Sequence, residues 1–458
     1  MVFHTWSFAI FFLIAYPAYL ALKNTRLGLL WLLVISYGFY AAFDPWYVVL
    51  IVYATLFDYG VLWQMSRSER KQPWLILSLI NNLGLLSFFK YGVFLANNAN
   101  ALLTLVHSPL RVIEPTTLWP VGLSFYLFQS MGYIIDCYRG TVPREPNLLR
   151  HAVFVAFFPR LLAGPIERAG HFLPQLQPLP KVSQTNVGDG LSLLVKGLFK
   201  KLALADYLAL YVNQVYSAPT QYQSPALILA TFLFGWQIYF DFSAYTDMAR
   251  GIARMMGFDL VENFHRPYLA TGLKDFWRRW HISLSSWFRD YVYIPLGGNR
   301  AGRFRFYRNA AVALLLSGLW HGAAWTFVVW GGIHALGYSF TRRLEDGAFY
   351  QRRIPTYLKA LWVFVFVTFG WIFFRAETLG DAWCVLQRIF TSGWADPRCP
   401  WLALVWIGAV WVYEWSREVG RHRLWEGRAV RVGLFVMMIL YLAVCSPSTE
   451  QPFIYMQF

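Results

Sequence analysis

Apolar residues run in long blocks along nearly the whole chain, broken at intervals by short clusters of Lys and Arg. The clearest blocks are "SFAIFFLIAYPAYLAL" (7–22), "WYVVLIVYATLFDYGVLW" (46–63), "ALWVFVFVTFGWIFF" (360–374) and "VGLFVMMILYLAVC" (432–445). Each approaches the ~20 residues that a helix needs to cross a bilayer. The pattern therefore predicts an all-α polytopic membrane protein, one integral-membrane domain over 1–458.

The basic clusters set a topology. Lys23 and Arg26 follow the first span, and Arg67, Arg70 and Lys71 the third. Arg139 and Arg144 follow a span at about 117–136, and further clusters run Arg278 to Arg308, Arg342 to Arg353 and Arg417 to Arg431. Basic loops stay in the cytoplasm. The linkers near Asp44, 97–100, 216–224 and 378–398 then lie outside, as do both termini. Spans follow at about 191–215, entered past Lys196, Lys200 and Lys201, and at about 225–246, 356–375, 400–416 and 431–446. The Pro-rich "PQLQPLPK" (174–181) reads as a cytoplasmic connector.

One segment resists this count. Arg308 and Arg342 both belong to cytoplasmic clusters, so the chain between them must go in and return. Each leg is about 16 residues, or roughly 24 Å at 1.5 Å per residue, short of a hydrocarbon core of ~30 Å. The turn then lies inside the membrane in protein-lined surroundings, because bare backbone cannot face lipid. At its midpoint stands "SGLWHGAAW" (317–325), with Gly318 and Gly322 flanking His321. An ionisable residue at that depth is a functional candidate, and histidine suits proton transfer near neutral pH. A structural histidine bonded between helices is the plainer reading.

Two spans carry polar stripes. Gly122, Tyr126, Gln129, Tyr133 and Asp136 recur at helical steps, as do Gln237, Asp241 and Tyr245, with Ser243 and Asp247 nearby. Such faces line a wet tunnel or serve as polar glue between helices.

Composition agrees with a membrane protein: 57% of the 458 residues are hydrophobic and 14% charged, against ~25% charged in a soluble chain. The 22 Trp, 27 Tyr and 39 Phe supply interfacial aromatic belts. The net charge of +16 does not indicate nucleic acid, because the basic residues sit in short loops between spans. Cys137, Cys384, Cys399 and Cys445 are scattered without metal-ligand spacing, and no metal site is expected. The N-terminus "MVFHTWSF" lacks a basic n-region and a clear cleavage site, so it reads as an uncleaved span.

Against this background, "FWRRWHISLSSWFRDYVYIPLGGNR" (276–300) is dense in Arg, His, Ser and Trp. It reads as an interfacial amphipathic segment. Its arginines suit a phosphate-rich ligand or anionic lipid headgroups equally, and no P-loop or GxGxxG accompanies them. Arg278, Arg279 and Arg289 are the phosphate candidates, and Asp290 is a candidate ion-pair partner that would hold the segment together.

The run from "YFDFSAYTDMARG" (239–251) through "FWRRWHISLSSWFRDYVYIPLGGNR" to "SGLWHGAAWTFVVWGGIHA" (317–335) resembles the membrane-bound O-acyltransferase family, in its bacterial alginate O-acetylation branch. Further matches are "FFKYGVF" (88–94), "PVGLSFYLFQSMGYIIDCYRG" (120–140), "FPRLLAGPIERAGHFLPQL" (158–176) and the tail "PFIYMQF" (452–458), so the resemblance covers essentially the whole chain. It implies a ring of about 10–12 transmembrane helices around a central funnel, with re-entrant and amphipathic pieces. It implies an enzyme of the bacterial inner membrane that passes acetyl groups from cytoplasmic acetyl-CoA, a substrate rather than a bound cofactor, to an acceptor outside. Periplasmic acetyltransferase partners would complete O-acetylation of an exported polysaccharide, of alginate or cellulose type. His321 matches the family's catalytic histidine and His281 its second one. Trp320, Trp325, Gln129 and Asp241 are tunnel-lining candidates, while His334 reads as structural. The rivals are D-alanyl transfer to a cell-wall polymer, which another branch performs, and a transporter without acyl chemistry, although no transporter-like repeat is visible.

Overall fold

The computed structural model describes residues 1–115, 120–300, 302–421, 423–445 and 451–454, without the side chains of 303 and 445. Residues 117–119 of the expected span at 117–136, residue 446 of the span at 431–446, and 455–458 of the tail motif lie outside the described residues. Every regular element among the described residues is helical. The chain divides into two compact units, one of residues 1–191 and 249–261, the other of 192–248 and 262–458.

The first unit holds α1 (Trp6–Leu22), α2 (Gly28–Ala41), α3 (Pro45–Arg67), α4 (Gln72–Leu105), α5 (Leu123–Arg139) and α6 (Leu148–Ala156). Their starts follow local chemistry. Asp44 caps α3 by accepting from Trp46 N–H at 2.9 Å, with Pro45 opening the helix. Between α3 and α4, buried Asp58 accepts from Ser78 Oγ at 2.8 Å and Asn82 Nδ2 at 3.0 Å. Hydrocarbon offers no competing partner, so these bonds tie the two helices. α4 corrects one expectation: its 34 residues run helical through the supposed linker at 97–100.

The second unit begins within α7 (Gln184–Leu198), which continues through a π-helical turn at Phe199–Ala205 into α8 (Asp206–Tyr216). α9 (Ser224–Met255) follows, its last turns belonging to the first unit. Then come α10 (Leu273–Arg279), α11 (Ile282–Phe288), α12 (Arg303–His321), α13 (Trp325–Glu345), α14 (Thr356–Arg375), α15 (Leu379–Thr391), α16 (Trp401–Glu418) and α17 (Arg428–Cys445). Among the described residues α3, α4, α9 and α14 are long and apolar enough to cross a membrane. α1 and α2 are equally apolar but 17 and 14 residues long. α15, opened by a capping box between Thr378 and Asp381, occupies what the sequence suggested was a plain linker at 378–398.

The expected hairpin is α12 and α13, and it breaks at Gly322–Ala324, directly after His321. Its legs are 19 and 21 residues rather than about 16, because each helix extends outward past its arginine cluster. From Arg308 to His321 the rise is still only ~20 Å. Two glycines make the break possible. A Cβ on Gly318 would lie 2.3 Å from the Phe327 carbonyl oxygen, and one on Gly322 would lie 2.0 Å from the Phe327 ring. Only glycine lets the two helices close on each other at these points.

Candidate active site

The Arg-rich block does not fold as one amphipathic helix. α10 ends at Arg279 and α11 begins at Ile282, and His281 between them has left-handed backbone, φ 41°. A histidine at positive φ persists only where its surroundings fix it. Here the non-helical stretch at 263–265 does so: His265 N–H donates to the Arg279 carbonyl and Ile282 N–H to the Asn263 carbonyl, both at 2.9 Å. The Asn263 side chain adds three contacts to one atom. Its Oδ1 accepts from Ser283 N–H at 3.2 Å and Ser283 Oγ at 3.0 Å, and lies 3.1 Å from His281 Nδ1.

His281 and His321, far apart in sequence, come together here. Their ring centroids are 6.3 Å apart and both side chains are buried. Trp320 stands edge-on to His281 at 5.7 Å, and Phe242 of α9 lies 4.7 Å from the same imidazole. Around His321, Trp320, Trp330 and Phe374 each lie 5.2 Å away, centroid to centroid. Two imidazoles in an aromatic cage form a site of low polarity. So apolar a site favours the uncharged imidazole over imidazolium. A neutral imidazole both donates and accepts a proton, as acyl transfer to a hydroxyl requires.

The other candidates separate. Trp320 is buried in this cage, whereas Trp325, opening α13, is half exposed. His334 sits apart in a nest of Phe276, Trp277, Trp330 and Phe366. Gln129, in the first unit, donates to the Phe154 carbonyl at 2.6 Å. Asp241 pairs with Lys201 at 2.9 Å and accepts from Ile454 N–H at 2.7 Å. Lys201 also reaches Asp206 at 2.8 Å, while Lys200 and Lys196 reach Asp247 at 2.8 and 3.2 Å. Much of the α9 stripe is thus internal polar pairing. Lys200 and Lys201, which the sequence placed at a cytoplasmic doorway, spend their charge on it.

Of the three phosphate candidates, Arg279 donates to Asp275 and to Glu418 at 2.9 Å each, and Glu418 also holds Arg266 at 2.7 Å. Arg289 pairs with Asp290 at 2.7 Å, the partner the sequence suggested. Arg278 is exposed at the end of α10 and makes no ion pair among the described residues. No group of three or more potential metal ligands occurs among the described residues. Asn263, Trp330 and Phe374 were not singled out from the sequence. Trp330 and Phe374 looked like ordinary apolar filling, and the only trace of Asn263 was its place in a polar interruption between α9 and the Arg block.

Helical throughout its described residues, the chain brings together two buried histidines, one at the break of a helical hairpin and one at a left-handed turn. The membrane-bound O-acyltransferase family profile matches residues 141–379. The chain is 38% identical over 397 residues to a probable alginate O-acetylase, AlgI, of Pseudomonas aeruginosa, covering 86% of this chain and 75% of that protein. It is 34% identical over 395 residues to a peptidoglycan O-acetyltransferase of Helicobacter pylori, covering 80% and 74%. It is 28% identical over 273 residues to a teichoic acid D-alanyltransferase of Bacillus subtilis, covering 56% and 69%. The chain belongs to the membrane-bound O-acyltransferase family and is a multi-pass membrane O-acyltransferase.

Proposed function

We propose that this protein is an inner-membrane O-acetyltransferase. It takes acetyl groups from cytoplasmic acetyl-CoA and delivers them across a central funnel for O-acetylation of an exported polysaccharide, together with periplasmic partner proteins. The observation that carries this reading is the buried pair His281 and His321, 6.3 Å apart in one aromatic cage, within a chain 38% identical to a probable alginate O-acetylase.

The chemistry assigned to the pair is balanced within the two substrates. The acceptor hydroxyl oxygen attacks the thioester carbonyl carbon. His321 takes the hydroxyl proton as the new C–O bond forms. The C–S bond breaks, and His321 returns the proton to the departing CoA sulfur. Products are the O-acetyl ester and CoA thiol, and no other reactant is consumed. The cage of Trp320, Trp330 and Phe374 keeps bulk water from competing for the thioester. Arg278, open at the end of α10, is the most available cation for CoA phosphate.

The test uses purified protein in nanodiscs with acetyl-CoA, reading CoA thiol release and transfer to an oligosaccharide acceptor. His321→Ala should lose transfer by at least ~100-fold while eluting as folded protein. Transfer by folded His321→Ala within a few-fold of the parent enzyme sinks the assignment of the base. Absence of thioester turnover in the parent enzyme favours a transporter. Turnover of D-alanyl carrier instead of acetyl-CoA favours the D-alanyl branch. The acetyl content of each exported polysaccharide in a strain lacking the protein identifies the polymer.

A further inference from the structure

Asn263 reaches His281 through its side chain and the next residue, Ile282, through its main chain, and its amide orientation follows from the network. The backbone N–H of Ser283 only donates, and it lies 3.2 Å from the Asn263 side chain. The amide atom facing it must therefore be oxygen, because a flipped amide would set N–H against N–H. That same oxygen lies 3.1 Å from His281 Nδ1. An oxygen acceptor at that distance requires a proton on Nδ1. In a neutral imidazole the other nitrogen, Nε2, then carries the lone pair.

We propose that Asn263 is a positioning residue that locks His281 in its Nδ1–H tautomer, so that His281 presents only a hydrogen-bond acceptor to the substrates and leaves proton transfer to His321. The proposal rests on the reading of the chain as an acetyltransferase. It adds a residue that no sequence motif singled out and divides the work of the two histidines. Nε2 so held cannot donate to the oxyanion of the thioester. It receives a substrate N–H or O–H, such as an amide of the pantetheine arm or the acceptor hydroxyl.

The rest of the geometry supports a fixed ring. The Asn263 carbonyl holds Ile282 N–H at 2.9 Å, one residue beyond His281, so a single residue clamps the left-handed turn and the side chain it carries. Phe242 of α9 packs edge-on against the imidazole at 4.7 Å, and Phe264 lies at 6.3 Å. Trp320 and His321 approach from α12, and His321 brings a titratable group to face the ring. The clamp is a neutral amide rather than a carboxylate, so it orients the ring without favouring imidazolium. The aromatic surroundings act in the same direction.

Two substitutions and one spectrum test this. Asn263→Asp keeps an oxygen acceptor but adds a charge that favours imidazolium. Its acid limb in the pH profile of kcat/KM should move up by at least about one pH unit, with activity restored at alkaline pH. Asn263→Leu removes the acceptor. Its kcat should fall at least about tenfold at every pH, with KM for acetyl-CoA within about twofold of the parent. Gel filtration and thermal melting check that both variants fold. Should Asn263→Leu fail to fold, the Asn263→Asp profile and the spectrum decide. The spectrum is that of protein labelled with 15N-histidine in nanodiscs, with His281 assigned by difference from His281→Gln. The Nδ1–H pattern is expected. An Nε2–H pattern, or an Asn263→Asp profile superimposable on that of the parent, overturns the proposal. The spectrum does not depend on turnover. An inactive parent enzyme with the Nδ1–H pattern would sink the acetyltransferase reading alone, and an active parent with the Nε2–H pattern would sink the tautomer alone.

Discussion

Lys201→Met should destabilise the second unit more than its single-charge change suggests. Lys201 Nζ lies 2.8 Å from Asp206, 2.9 Å from Asp241 and 3.0 Å from the Gln451 carbonyl. All three charged side chains are at most 4% exposed. Methionine fills nearly the same volume, so the cavity contribution is small. What remains is a pair of buried carboxylates without their cation, and removing one partner of a buried pair costs about 3–5 kcal/mol. At about 2 °C per kcal/mol for a unit of this size, the melting temperature should drop by roughly 6–10 °C. Tryptophan fluorescence of detergent-purified protein reads the transition. The triple variant Lys201→Met, Asp206→Asn, Asp241→Asn should recover most of the loss, because replacing a whole buried ionic group by neutral residues is close to neutral. A single variant melting within about 2 °C of the parent, or a triple variant no better than the single, would refute the ion triad. The result also bears on Asp241. As triad member, its substitution acts through stability and couples to Lys201. As tunnel lining, it would lower turnover at an unchanged melting temperature.

Arg278→Lys should raise KM for acetyl-CoA about tenfold, the equivalent of one charge-assisted hydrogen bond, whereas Arg279→Lys should lower the melting temperature and leave KM unchanged. Equal KM effects of the two would contradict the division of roles read from their ion pairs. In the first unit His171 Nδ1 lies 2.8 Å from buried Glu167, and that hydrogen bond raises the imidazole above its ordinary value. A raised folded value stabilises below the unfolded value of about 6.5 and loses the contribution as pH rises through the folded one. The melting difference between parent and His171→Asn should therefore be larger at about pH 5.5 than at about pH 8.5, by about 1–2 °C for so exposed a group, and a difference independent of pH counts against the pair. In a Cys-free background, a single cysteine at Ala395 should be labelled from outside and one at Arg352 only after permeabilisation; the reverse pattern overturns the topology.

The parts of this molecule that were legible in its sequence share one property: their signal is local. α14 and α17 stand almost where their apolar runs put them, because burial in lipid rewards every residue of such a run. The break at His321 was legible too, since two arginine clusters and two glycines bracket it within one stretch of chain. What escaped was pairing between distant residues. Lys200 and Lys201 look like a cytoplasmic boundary in a hydropathy trace, and only the approach of α9 turns them toward Asp247 and Asp241. Arg279 looks as available to a phosphate as Arg278 until Glu418, 139 residues later, takes its guanidinium. Asn263 is the sharpest case. Its letters sit within the run that resembles the family but show no chemistry of their own, yet the left-handed turn at His281 carries it against the imidazole, where one amide oxygen settles which nitrogen bears the proton. The motif histidines give the chemistry its atoms, and an unmarked asparagine gives one of them its direction.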